Sequence, residues 1–131
     1  MKKDITFHVA EDVYIVAMKE WDKDFLSQNW NIYFVNTKKS SLETVLVVSR
    51  GNSSTLKTST LRHNLGNVES NTMKKIEFIA NDVLSFTNEY LVTFFLDGKL
   101  YDKQFTFTPH SISEENLVEF KSLNVEVIVA K

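Results

Sequence analysis

A chain of 131 residues, 43% hydrophobic and 24% charged, has the size of one domain and too much apolar content to stay disordered, so a single folded unit over residues 1–131 is expected. Its net charge of −2, with Arg50 and Arg62 as the two arginines, argues against a surface built to neutralise nucleic-acid phosphates. The lack of cysteine removes disulfides, thiolate nucleophiles and thiolate-bound zinc together.

At the start of the chain Lys2 and Lys3 precede no apolar run of the about seven residues a secretory leader needs. No later segment approaches the ~20 apolar residues of a membrane span. The expectation is a cytoplasmic protein with no membrane contact. A first strand is expected around His8, followed by strands over residues 13–21, 31–35 and 43–50, all rich in β-branched and aromatic residues. Within the last, Val45, Leu46, Val47 and Val48 are apolar on both sides, which predicts a strand covered on both faces.

Residues 51–72 are rich in Ser, Thr and Asn and contain Gly51 and Gly66, two of the three glycines. A weak strand over residues 55–61, set between loops, is expected there. Lys75, Ile76, Glu77 and Phe78 alternate with period two and predict another strand.

The clearest local signal is Asp97-Gly98, a dipeptide suited to a type I′ turn because both positions need positive φ. A two-residue loop pairs Leu96 with Lys99, Phe94 with Tyr101, Val92 with Lys103 and Tyr90 with Phe105. One face then collects Tyr90, Val92, Phe94, Leu96, Tyr101, Phe105 and Phe107, with Lys103 as the misfit. Residues 111–120 admit either one or two helical turns, from a Ser111–Glu114 capping box, or a short strand. A final strand is expected over residues 125–129.

Eight or nine strands with turn signals between them predict an all-β antiparallel sandwich with at most one short helix. Trp30 opening a middle strand, and Tyr90 two residues before Val92, resemble the immunoglobulin or fibronectin type III pattern without its disulfide. An architecture of that kind implies no particular activity.

Catalytic signatures are missing: there is no Gly-x-Ser-x-Gly elbow, and Gly51, Gly66 and Gly98 are too far apart for a phosphate loop. His8, His63 and His110 show no short metal-ligand spacing, so neither metal nor cofactor is expected. Asp22 and Asp24 begin like a calcium loop but lack its glycine and terminal glutamate, which makes them turn charges. Arg62 and His63, beside Asn64 in the polar middle segment, are the candidate ligand-binding residues, because guanidinium and imidazole together suit an anion. The 16 aromatic residues fall mostly on the faces carrying Val and Ile, which makes them core before they are a stacking platform for sugar or single-stranded nucleic acid.

Residues 12–17, 42–49, 58–63 and 90–95 together resemble a group of short bacterial proteins without an assigned activity, some labelled as a phenylalanyl-tRNA synthetase alpha subunit. Synthetase chemistry needs a large sheet with helices and arginine-rich motifs, which 131 residues with two arginines do not supply. The expectation is therefore a non-catalytic structural or protein-interaction module, self-associating through an edge strand or an exposed aromatic face. The alternative is a small-ligand-binding sandwich that uses residues 51–72, with Arg62 and His63 facing the ligand.

Overall fold

The structure is a computed structural model and describes residues 7–131; the expectation drawn from Lys2 and Lys3 lies outside those residues. Among the described residues ten strands form two sheets of five. The first sheet runs β1 (Phe7–Val9), β8 (Lys99–Phe107), β7 (Thr87–Leu96), β4 (Leu42–Asn52), β5 (Leu61–Val68). The second runs β6 (Thr72–Ile79), β3 (Gln28–Asn36), β2 (Val13–Trp21), β10 (Val125–Val129), β9 (Val118–Phe120). Two short 3-10 turns, Asn81–Val83 and Glu114–Asn116, are the helical elements among the described residues.

Period-two alternation builds the core. Ile15, Ala17, Ile32 and Phe34 point inward from the second sheet and meet Val45, Val47, Val92, Phe94, Phe105 and Phe107 from the first, all buried. Each of the larger side chains contributes about 1.5–3 kcal/mol by leaving water. The β7–β8 hairpin has the expected register, Leu96↔Lys99 through Tyr90↔Phe105. Its turn has φ of 53° at Asp97 and 73° at Gly98, the positive values that select Asp-Gly. Phe94 and Tyr101 stack at 5.4 Å, while Lys103 stays exposed with its ammonium 5.0 Å over the Phe105 ring.

The sheets are also tied by a buried amide. Asn36, at the end of β3, donates from Nδ2 to the carbonyls of Ser40, Val68 and Glu69 and accepts at Oδ1 from the Lys38 amide. These bonds satisfy the amide of a fully buried side chain and tie the end of β3 to the ends of the following loop and of β5.

Four expectations need correction. The pairing is not antiparallel throughout, since β1 runs parallel to β8, and the described residues hold ten strands in place of eight or nine. The weak strand expected over residues 55–61 lies further on, as β5. Ser53 Oγ accepts the amides of Thr55 and Leu56, so local side-chain bonds hold residues 53–56 in a turn closed by the single bridge of Asn52 to Lys57, and the continuous ladder begins at Leu61. Val45 to Val48 are not covered on both faces, since Leu46 is 41% exposed. Residues 111–120 hold both a 3-10 turn and a strand; the turn is capped by Ser113 without a side-chain bond, and Ser111 Oγ donates instead to the Thr108 carbonyl.

Candidate functional site

β5 and β6 follow one another in the chain and are the edge strands of opposite sheets, so the two edges meet along one flank of the molecule. Lys74 of β6 reaches across this flank, donating from Nζ to the carbonyls of Leu65 at 2.7 Å and Asn67 at 3.1 Å. One turn of the ladder away, four side chains from four strands converge: Ser49 of β4, His63 of β5, Glu77 of β6 and Tyr90 of β7. All four occupy inward rows, which local apolar alternation would fill with Val or Ile.

Glu77 is the centre of this cluster. Its Oε1 accepts from Ser49 Oγ at 3.1 Å and lies 3.1 Å from His63 Nε2, and its Oε2 accepts from Tyr90 Oη at 2.7 Å. Ser49 Oγ and His63 Nε2 are themselves 3.2 Å apart. Burial, with Glu77 beside it, pushes the Tyr90 hydroxyl far above the ordinary tyrosine range, so it remains a donor to the carboxylate. A serine, a histidine and an acid are thus in contact, but not as a nucleophile relay. That relay needs the hydroxyl and the acid on opposite ring nitrogens, whereas both groups meet Nε2 here. The cluster joins the two sheets by hydrogen bonds.

Beside it a cavity of about 180 Å³ opens between the sheets, lined among others by Ser49, Gly51, Thr58, Leu61, Glu77 and Tyr90. Gly51 is required at its rim, because a Cβ there would come within 2.8 Å of Asn88 Oδ1. An outer groove past Arg50, Lys57, Thr58 and Glu89 shares Arg50, Gly51 and Thr58 with it, and from residues 51–60 the two are lined by Gly51, Asn52, Lys57, Thr58, Ser59 and Thr60.

The two predicted ligand residues are separated by the strand itself. His63 points inward to Ser49 and Glu77; Arg62, one residue earlier, falls on the outer face opposite Val48 and is exposed. The other histidines lie elsewhere. His8 packs against Tyr101 at 5.3 Å on β1, the far edge of the first sheet, and His110 is an exposed loop residue. Asp22 is committed to its own turn, accepting the amides of Asp24 and Leu26 and the Ser27 hydroxyl, which holds its carboxyl below the usual range. Among the described residues no group of three or more His, Asp or Glu is placed to hold a metal ion, and no helix is long and apolar enough to cross a membrane.

Ser49, Glu77 and Tyr90 escape sequence reasoning because they are 28 and 13 residues apart and meet only through pairing across the sheets. One signal was available: Ser49 continues the inward row Val45, Val47, where a polar residue needs a partner.

The outer face of the first sheet is the second candidate. Paired residues align in rows across it: Phe7, Leu100 and Phe95; then Val9, Asp102, Thr93, Leu46 and Asn64; then Gln104, Leu91, Val48 and Arg62. Phe7, Val9, Leu46, Leu91 and Phe95 all remain exposed. A shallow depression of about 240 Å³ lies over Leu46, Val48, Arg62 and Thr93.

Compared with known proteins, the chain matches no family model, no curated protein and no solved structure.

Proposed function

We propose that the protein is a non-catalytic interaction module that pairs with a second copy of itself through the outer face of its first sheet. The observation that carries this reading is the set of apolar rows from Phe7 to Leu91, exposed on one surface while the molecule's core is complete without them. A face-to-face pair with its two-fold axis running along the strands between β4 and β7 sets β5 of one copy over β8 of the other. Arg62 on one flank then comes over Gln104 on the other, one row from Asp102 and within reach of its carboxylate, twice by symmetry. Pairing by the face is preferred to pairing by an edge strand because Lys74 occupies the carbonyls of β5, β6 carries Lys74 and Lys75, and β1 and β9 have three residues each.

Strand order supports a fibronectin type III-like core for this module. β2, β3 and β6 form one layer and β5, β4, β7 and β8 the other, in the connectivity of that sandwich, with β1, β9 and β10 added at the edges. Tyr90 departs from the tyrosine corner of such domains, since its hydroxyl bonds Glu77 instead of upstream backbone.

Light scattering over a concentration series tests the pairing. The mass is expected to rise from one chain to two, and Leu46→Asp to hold it at one chain. Arg62→Asp is expected to weaken the pair, and adding Asp102→Arg to restore it. A wild-type mass of one chain throughout overturns the reading.

A further inference from the structure

We infer that the cavity between β5 and β6 binds a neutral polyhydroxylated ring, a single sugar residue, independently of pairing by the outer face. At about 180 Å³ it has room for a small molecule as well as ordered water. Leu61 supplies the first sign that it is a site. It begins the inward row continued by His63 and Leu65, yet it is 50% exposed, because the sheets part beside it.

The walls identify the chemistry. Leu61, Ile79 and Val83 give an apolar side. Beside them, with Leu61 paired to Ser49 and Ile79 two residues from Glu77, are the hydroxyls of Ser49, Thr58 and Tyr90 and the carboxylate of Glu77. A carboxylate has about four acceptor positions, and Glu77 uses three, on Ser49, His63 and Tyr90, leaving one for a ligand hydroxyl. The wall hydroxyls spend their own protons on Glu77 and on the Ser59 carbonyl, so the wall offers acceptors, which suit the hydroxyl protons of a ligand; a sugar ring also has the C–H faces that an apolar side requires.

Charge excludes the ionic alternatives. The acid and the guanidinium in the walls are each already partnered, Glu77 by Ser49, His63 and Tyr90, and Arg50 by Glu89 at 3.3 Å. An anion entering the cavity meets the Glu77 carboxylate, and a cation competes with three bonds already made to it. A neutral ligand disturbs neither pair.

Saturation-transfer NMR on the full chain, with methyl glycosides of neutral hexoses at millimolar concentration, tests the assignment. Transfer to ring protons of at least one of them is expected. Leu61→Trp, which fills the mouth from an exposed position, is expected to weaken it at least tenfold while leaving the dispersed protein spectrum intact. Should that variant fail to fold, Val83→Phe fills the same space from another point of the lining. No transfer to any neutral glycoside overturns the assignment, as does transfer that survives a folded blocking variant. Stronger transfer to glucuronate or glucosamine than to the neutral hexoses overturns the neutral class.

Discussion

The two sheets have similarly apolar outer faces and opposite fates. On the second sheet Val16, Val35 and Val127 point away from the main core yet are at most 1% exposed. Tyr14, Tyr33, Met73, Phe120 and Leu123 close over them, with Tyr14 and Phe120 edge to face at 5.3 Å. On the first sheet Leu46, Leu91 and Phe95 stand 38–41% exposed with nothing folded across them. The difference comes from the β9–β10 hairpin, which brings Phe120 and Leu123 over the second sheet; no segment of the described chain does this for the first. An outward apolar residue is therefore core or contact surface according to distant parts of the chain, not according to its own strand.

Substitutions can break this contrast, the most damaging first. Val127→Asp buries an unpaired carboxylate under the Phe120 layer and is expected to cost at least about 3 kcal/mol in urea unfolding. A smaller loss would mean that the second face opens readily. Tyr90→Phe leaves one oxygen of Glu77 without its donor, for an expected loss of about 2 kcal/mol by the same measurement.

Alkaline pH acts on the covered face through Tyr33, whose hydroxyl donates to Glu20 at 2.6 Å. Burial and the Glu20 carboxylate raise its pKa to about 12, above the value of 10.0 that the unfolded chain has. The folded state thus holds this proton more tightly. Its contribution is complete below pH 10 and is lost as pH rises through 12. Tyrosinate absorbance compared between wild type and Tyr33→Phe should show one ionisation missing near the upper end of that window.

Smallest in stability is Phe95→Asp on the bare face, expected to change unfolding by no more than about 0.5 kcal/mol while abolishing the concentration-dependent mass. Equal damage from Phe95→Asp and Val127→Asp would erase the distinction between the faces.

Much of the fold could be read locally. Residues 13–21, 99–107 and 125–129 are strands to the residue, and the Asp97-Gly98 turn fixes the register of its hairpin, because the information lies in alternation and in two φ angles. Residues 51–72 resisted for an equally local reason: their hydroxyls bond nearby backbone, and β5 is placed by pairing with β4, not by its own composition. The candidate site was half visible. His63 was named, but Arg62 could not accompany it because adjacent residues of a strand face opposite ways. Ser49, Glu77 and Tyr90 required knowledge of which strands become neighbours across the sandwich.

Lys74 has a consequence for polymer growth. A sheet lengthens by adding strands to carbonyls and amides left free at its border, and such addition is how folded domains are recruited into fibres. The ammonium that holds the Leu65 and Asn67 carbonyls therefore works as a chain stopper, ending growth on the side of the molecule where the longest border strand of the first sheet would otherwise template it.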